Sequence, residues 1–309
     1  MTSTEPVHFT PANERTFHGV EGASYVLPAD VEEAKRLHAG EGCSEVWVCR
    51  LDAQHDLLKE VFDNRILFPP VVLVGDDAVL DNGTGTGIWI TDLRQNVASS
   101  ISLYGVDLHT RLVPSNPPVN TTFLPISFLD LPAEWSNKFT LVNQRLMIAA
   151  LTRENWKQDI REIHRVLQKP GGWAQFLEIS GRVDAPEGEA DEHADWFTKI
   201  VAALTGHVGL VQECYKDIPG LLRDAGFANV VVEERRVKLG KGNGLVGERM
   251  LHNVAGIFEG FKAPILKAGG FSMVSSDAEY DARVAGLVER CNARERIETR
   301  WYAIYAQKA

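Results

Sequence analysis

The residues best suited to chemistry lie in one short segment, residues 79–88, where an apolar run ends in an acid and glycine then occurs at every second position. Because glycine has no Cβ, such a turn lets the backbone approach a ligand closely. A dinucleotide site needs the spacing G-x-G-x-x-G, but here the third glycine comes one residue early and is followed by Ile88. The sequence contains no P-loop either. The residues of this motif are Asp81, Gly83, Thr84, Gly85 and Gly87.

Polar side chains also follow the next apolar runs along the chain. Asp107 ends the run that comes after the glycine motif, and a carboxylate at this place can accept hydrogen bonds from both hydroxyls of a ribose. Phe128 and Leu129 follow the third run and could flank an adenine ring. The fourth run ends in a polar triplet. These features together predict an adenosine site, and the triplet is Asn143, Gln144 and Arg145.

Strands and helices must position these residues, and the sequence indicates them by short apolar runs that alternate with helical patterns. We predict strands at 78–81, 101–107, 122–126, 139–143, 173–179, 230–237 and 301–307. We predict helices at 87–97 and 153–168, helical structure to about 226, a glycine-rich loop at 240–247, and a helix from there to about 260. This alternation predicts an α/β fold, with a doubly wound, seven-stranded, mostly parallel sheet covered on both faces.

The N-terminal region, residues 1–75, is expected to form a helical cap over the substrate side of residues 76–309. A helix is predicted at 51–62 because Leu51, His55, Leu58 and Phe62 recur at helical spacing. Residues 38–50 carry two glycines and a β-favouring Val-Trp-Val run, so we expect an inserted loop there, either genuine or a gene-model artefact.

The composition excludes several classes of protein. The 309 residues are 44% hydrophobic, and their net charge of −10 argues against a duplex nucleic-acid binder or an anionic membrane surface. Neither a spanning segment nor a signal peptide is visible. The four cysteines form no C-x-x-C motif, which predicts reduced thiols and no metal site. We therefore expect a cytoplasmic monomer or homodimer with a small-molecule partner.

The chain resembles class I S-adenosylmethionine (SAM)-dependent methyltransferases, and more narrowly the fungal secondary-metabolism branch related to LaeA-type proteins. The glycine motif and Asp107 are characteristic of the class, and the Lys-Pro-Gly-Gly-Trp piece at 169–173 is typical of it. The resemblance covers nearly the whole chain. The further segments that carry it are 15–19, 25–28, 80–89, 144–146, 165–173 and 305–308.

The resemblance implies SAM as the cofactor, with S-adenosylhomocysteine as the product. The glycine motif would hold its methionine part, Asp107 the ribose, and Leu108 one side of the adenine, with Phe128 and Leu129 on the other. The triplet after the fourth strand would lie near the sulfonium, and Arg145 would also reach the substrate entrance.

The acceptor pocket of this architecture is built from the N-terminal region and from insertions, here around 181–215 and 240–270. The aromatic and apolar candidates in these segments suit a small planar acceptor. Besides Arg145, the candidate substrate-binding residues are Phe17, Tyr25, Trp196, Met250 and Phe258.

A phenolic acceptor would need a base, because its pKa lies near that of tyrosine. Three of the nine histidines lie in exposed-looking stretches, one follows the ribose acid and one lies on a core-facing helix, which leaves His18, His55, His207 and His252. We expect His252 to be the base, with Glu248 one turn earlier to orient it, and His207 and His18 to be the next candidates.

The sequence thus predicts O-methylation of a small, phenolic metabolite. Two alternatives stay open: methylation of a carboxylate or a nitrogen of a small metabolite, and a LaeA-type regulatory protein with little catalytic activity.

Overall fold

The computed structural model of the chain describes residues 46–186, 189–293 and 296–309, with side chains from residue 50 onward. The helices are α1 (Val46–Val61), α2 (Ile88–Asn96), α3 (Arg153–Val166), α4 (Glu192–His207), α5 (Cys214–Asp224), α6 (Gly244–Lys267) and α7 (Asp277–Ala293). The strands are β1 (Ala78–Asn82), β2 (Ser102–Asp107), β3 (Thr121–Pro125), β4 (Leu141–Arg145), β5 (Trp173–Ile179), β6 (Phe227–Lys238) and β7 (Glu298–Lys308).

The seven strands form one sheet in the order β3-β2-β1-β4-β5-β7-β6. All neighbours are parallel except β7, which runs antiparallel to both β5 and β6. The predicted doubly wound, mostly parallel sheet is confirmed. The strand order reverses direction between β1 and β4, and in open α/β sheets this is where a crevice opens at the carboxyl ends of the strands.

The strand register brings the polar strand ends to one edge of the sheet. Asp81 of β1 lies opposite Gly105 of β2 on one side and Asn143 of β4 on the other. Two residues further along β2, Asp107 lies opposite Pro125 of β3. Side chains that are far apart in the sequence therefore surround the turn that follows β1.

The two faces of the sheet are covered by apolar helix faces. On one face, Trp89 and Leu93 of α2 pack against β1 and β2. On the other face, Trp156 and Ile160 of α3 pack with α5 against β4 and β5. The helix α3 starts in a capping box, in which Thr152 and Asn155 satisfy each other's backbone N–H groups.

A second, larger core lies against β5 and β7, and here α1, α4, α6 and α7 pack on one another. Among its buried members are Leu58 of α1, Phe197 of α4, Phe258 of α6 and Leu287 of α7. The part of the N-terminal region that the structure describes is therefore packed into the fold. In the described residues, no helix is long and apolar enough to cross a membrane.

Two local expectations are wrong. Residues 46–50 of the expected inserted loop are the first residues of α1; the remainder, 38–45, lies outside the described residues. Valine and tryptophan cost only a few tenths of a kcal/mol each in a helix, and extending a formed helix is cooperative, so a β-favouring run does not stop it.

The helix α7 was not predicted. The glycine-rich loop expected at 240–247 is shorter, because α6 begins at Gly244.

Candidate cofactor and acceptor site

The three glycines after β1 all have left-handed backbone conformations, with φ of +63° at Gly83, +56° at Gly85 and +74° at Gly87. A Cβ on Gly85 would meet only Leu51 Cδ1, at 3.8 Å, so open space lies above this residue. A Cβ on Gly87 would lie 2.7 Å from the Phe123 ring. Gly85 is therefore the point where a ligand can approach the backbone, and Gly87 makes room for packing between α2 and β3.

Asp81, the acid that opens the motif, holds the glycine loop in place through buried hydrogen bonds. Asp81 is 2% exposed, and burial raises its pKa. Thr84 Oγ1 donates to one carboxylate oxygen at 2.7 Å, and Asn143 Nδ2 donates to the other at 2.6 Å. Gln175 Nε2 in turn donates to Asn143 Oδ1 at 2.7 Å. Three predicted residues thus shape the loop through buried hydrogen bonds.

Asp107 connects the end of β2 to the same loop. Gly85 N–H donates to Asp107 Oδ2 at 3.0 Å, and the backbone N–H of His109 donates to Oδ1 at 3.3 Å. The carboxylate is half-buried, and each of its oxygens can accept a second hydrogen bond. This fixed carboxylate beside an open glycine suits a pair of ribose hydroxyls.

Of the apolar side chains expected around an adenosine, Phe128 lies beside the loop. Leu108, Phe128 and Leu129 are all half-buried, as expected of residues that line a crevice. A Cβ on Gly83 would lie 3.7 Å from the Phe128 ring and 2.6 Å from Met147 Cε. Met147 was missed by sequence reasoning, because the turn that places it over Gly83 depends on a left-handed Leu146 (φ +61°).

The turn that carries Met147 is fixed by a buried acid. Glu178 of β5 accepts the backbone N–H of Met147 at 2.8 Å and that of Ile148 at 3.2 Å. Burial raises the pKa of Glu178 to about 8. Its role could not be recognised from the sequence, since an acid inside an apolar strand gives no sign of which loop it faces.

The expectation that Gln144 lies near the cofactor is wrong. Successive side chains of a strand point to opposite faces, so Gln144 faces away from Asn143 and Arg145. Its side chain is fully buried on that far face, where it accepts from Asn82 Nδ2 at 3.2 Å and donates to Asp159 Oδ2 at 2.7 Å.

The helix α1 lies over the glycine loop. In addition to the Leu51 contact, Thr86 Oγ1 donates to Asp52 Oδ1 at 2.8 Å. One turn later, His55 lies within hydrogen-bond distance of both Arg145 and Asp92, at 3.0 Å from each. Sequence reasoning placed His55 on a helix face but assigned it no partner, and it missed Asp52 and Asp92. An acid within the inward face of a predicted helix was the available signal for Asp92.

The described residues that were expected to bind the acceptor belong to the core. Trp196, Met250 and Phe258 are 7%, 0% and 0% exposed, and the Trp196 and Phe258 rings stack with centroids 5.8 Å apart. Their assignment to a substrate pocket is wrong, because they fill the space between α4, α6 and α7. Phe17 and Tyr25 lie outside the described residues.

The candidate bases do not meet at the site. His252 and His207 are exposed, and the His207 ring contacts Phe271, with centroids 5.5 Å apart. Glu248, which was expected to orient His252, lies instead 3.9 Å from the ammonium of Lys241. His18 lies outside the described residues. An exposed imidazole has no enclosed space beside it for an acceptor, so the structure gives His252 and His207 no catalytic surroundings.

The residues around the loop fit SAM in three respects: open space above Gly85, a fixed carboxylate at the end of β2, and half-buried apolar groups beside both. Arg145 completes the set, since its guanidinium could hold the methionine carboxylate. Within the described parts of the chain, no group of three His, Cys, Asp or Glu side chains could hold a metal ion.

Comparison with known proteins agrees with this geometry. Residues 79–172 match the family described as Methyltransferase domain. The chain is 31% identical over 220 residues to N-methyltransferase sirN of Leptosphaeria maculans, covering 68% of this chain and 75% of that protein. It is 28% identical over 256 residues to N-methyltransferase gliN of Aspergillus fumigatus, covering 79% of this chain and 90% of that protein.

Among solved structures, the chain is similar to phosphoethanolamine N-methyltransferase 2 of Haemonchus contortus in complex with S-adenosyl-L-methionine. That match has 17% identity and a TM-score of 0.47, and it covers 90% of this chain and 56% of the other. The family match lies on the glycine loop and the strands around it, and the relative sirN extends it over two thirds of the chain. On the strength of the family match and of the relatives sirN and gliN, the chain belongs to the class I SAM-dependent methyltransferases, in their fungal secondary-metabolism branch, and is an enzyme that uses SAM as its methyl donor.

Proposed function

We propose that this methyltransferase transfers the methyl group to a nitrogen atom of a small metabolite. The observation that carries the proposal is the similarity to sirN and gliN, both named N-methyltransferases, over most of the chain. The phenolic hydroxyl expected from the sequence has no comparable support. N-methylation was one of the two enzymatic alternatives that the sequence left open.

The chemistry places few demands on acid–base groups. When bound, SAM supplies a methyl group on a positively charged sulfur, so the protein's main task is to align the two reactants. A neutral amine attacks with its own lone pair and can lose its proton to water afterwards. A phenol, in contrast, reacts well only once its proton has been removed. The exposed positions of His252 and His207 are easier to reconcile with a nitrogen acceptor.

The described residues divide the binding task among them. Asp107 would hold the ribose hydroxyls, because its carboxylate is fixed by the backbone of the loop. Leu108, Phe128 and Leu129 would exclude water from the adenine. The helix α1 would cover the methionine part, since Leu51 and Asp52 already contact the loop there.

The proposal is tested by locating the transferred methyl group. The enzyme is incubated with SAM that carries a trideuterated methyl group and with pairs of small acceptors of similar shape. Each pair contains a nitrogen acceptor (an amine or an amide) and an oxygen acceptor (a phenol or a carboxylic acid). Tandem mass spectrometry then assigns the label to nitrogen or oxygen. We expect label on nitrogen only, and label reduced by roughly 5- to 30-fold with the Asp107→Ala variant at limiting SAM. Label on oxygen from a matched pair would overturn the proposal, and label on no acceptor would favour the regulatory alternative.

A further inference from the structure

We propose that His55 is a positioning residue, which holds the guanidinium of Arg145 at the cofactor site and is itself held by Asp92. The inference rests on the SAM site described above and not on which atom of the acceptor is methylated. It assigns a function to the polar contacts that connect His55 of α1 with Asp92 of α2 and Arg145 of β4.

The hydrogen bonds of His55 determine which of its ring nitrogens carries the proton. His55 is 3% exposed; its Nδ1 lies 3.0 Å from Arg145 Nη1, and its Nε2 lies 3.0 Å from Asp92 Oδ2. A guanidinium can only donate, so Nδ1 must accept and the proton must be on Nε2, which donates to Asp92. His55 is therefore a neutral imidazole that receives a hydrogen bond from a cation and gives one to an anion.

The protein stabilises this neutral form. Burial and the nearby charge of Arg145 lower the pKa of His55 to about 4, although Asp92 and Asp56 act in the opposite direction. On protonation, Nδ1 would no longer accept, and two cations would face each other. Of the other charged groups around this ring, Lys59 of α1 lies 2.7 Å from Asp92 Oδ2. Burial alone would raise the pKa of Asp92, but the hydrogen bonds from Lys59 and His55 hold it below its usual value.

Arg145 connects this chain of contacts to Asp81, the acid that opens the glycine motif. It lies at the carboxyl end of β4, on the same strand face as Asn143, and Asp81 attracts it electrostatically. Within the described residues, no carboxylate lies within ion-pair distance of its guanidinium, and burial lowers its pKa. Arg145 is half-buried, and a partly desolvated cation without a bonded counterion is unfavourable, so the methionine carboxylate of the cofactor can supply the missing partner.

An arginine side chain has many rotamers, so the ligand would have to order the guanidinium if the protein did not. The bond to His55 Nδ1 fixes one end of the guanidinium before the ligand binds. Asp92, on α2, fixes the ring in turn. The position of α1 therefore determines whether the guanidinium of Arg145 is already oriented when the cofactor binds.

Two substitutions of His55 separate its two hydrogen bonds. The side-chain amide of asparagine reaches the place of Nδ1, and that of glutamine reaches the place of Nε2. His55→Asn therefore keeps an acceptor for Arg145, whereas His55→Gln keeps a donor for Asp92. We expect His55→Asn to bind S-adenosylhomocysteine within about threefold of the wild-type affinity and His55→Gln to lose about tenfold or more, as measured by calorimetry.

The matched control is Glu60→Gln on the same helix, which loses an ion pair to Arg249 of α6 at 2.8 Å but does not contact this chain of residues. It should leave the affinity for S-adenosylhomocysteine unchanged. Equal affinity for His55→Asn and His55→Gln, whether both retain binding or both lose it, would overturn the proposal. Because the measurement uses S-adenosylhomocysteine alone, its result is independent of whether nitrogen is the acceptor.

The wild-type protein provides a second test that does not depend on how the variants fold. Long-range ¹H–¹⁵N spectra distinguish the two neutral tautomers of a histidine from its imidazolium. We expect His55 to show the Nε2–H tautomer at both pH 7 and pH 6, because its pKa lies near 4. The Nδ1–H tautomer, or an imidazolium at pH 6, would contradict the assigned hydrogen bonds and the proposal with them.

Discussion

At the scale of single residues, the carboxylate of Asp107 is held by the backbone of the glycine loop and by that of its own turn. It accepts the backbone N–H of Gly85 and that of His109, so it both shapes the loop and offers further acceptor sites to a ribose. We expect Asp107→Ala to weaken binding of S-adenosylhomocysteine by about 1–2 kcal/mol, or roughly 5- to 30-fold, through the loss of charge-assisted hydrogen bonds. Calorimetry measures this directly. Asp76→Ala, which removes an exposed acid from the turn before β1, should bind as the wild type does.

The residues that could be predicted from the sequence are those whose type and place in a motif leave little choice. A glycine at every second position after a strand requires an unusual backbone, and an acid at the end of the next strand must lie beside it. Gln144 was misplaced because β4 continues to Arg145, two residues beyond its predicted end, and successive side chains within a strand point to opposite faces. Trp196 and Phe258 were misplaced because an aromatic residue looks the same in a pocket and in a core.

At the scale of elements, α1 determines how the cofactor site is covered. It contacts the glycine loop through Leu51 and Asp52, α2 through His55 and Lys59, and α6 through its hydrogen bond from Gln54 to Asn253 at 2.9 Å. Its apolar face is part of the larger core. The sequence predicted this helix from its spacing, but its partners lie more than 30 residues away and follow only from the tertiary fold.

Truncation of a buried α1 side chain should therefore destabilise the whole domain. Leu58 is 2% exposed, and we expect Leu58→Ala to lower the free energy of unfolding by about 2–5 kcal/mol, since it leaves a cavity in the core. Chemical denaturation checks this value. On the opposite side of the helix, Asp56 is exposed, and Asp56→Ala should change the stability by less than about 0.5 kcal/mol. Equal stability of the two variants would mean that α1 is a detachable cover.

At the scale of the whole molecule, the alternation of strands and helices was enough to predict the sheet, because each strand can be buried only between two helical layers. The second core was not predictable to the same degree. There α4, α6 and α7 pack on one another, and no alternation with strands in the sequence indicates how they are arranged. The helix α7 was not predicted. Trp196, Met250 and Phe258, which were expected to line an acceptor pocket, lie in α4 and α6, and for this reason they were the least well placed of the described candidates.

Two buried acids make the stability of the whole domain depend on pH. Burial raises the pKa values of Asp159 and Glu178 to about 8, whereas free carboxyls titrate near 4. Between these values the folded chain holds protons that the unfolded chain has lost, so stability falls as the pH rises from about 5 to 8. We expect Glu178→Gln to make this fall shallower by up to about 1.4 kcal/mol per pH unit. Urea denaturation at pH 6, 7 and 8 gives the slopes.

The exposed acid Glu154 is the control, since Glu154→Gln should leave the slope as it is in the wild type. Removing Glu178 also takes an acceptor from the turn at Met147, which shifts the stability by a constant amount but does not change its slope. An unchanged slope in Glu178→Gln would show that this carboxyl is already ionised in the folded protein at neutral pH.

The most direct test of the central claim, that the donor binds on the glycine loop under α1, is calorimetric titration of S-adenosylhomocysteine into the wild type and Gly85→Val. Valine would fill the open space above the loop and would strain a backbone at φ +56°. Gly220→Val is the matched control, because a Cβ there meets nothing within 4 Å. We expect one bound equivalent for the wild type and the control, and no measurable binding for Gly85→Val. Wild-type affinity in a folded Gly85→Val protein would show that the donor does not bind on this loop.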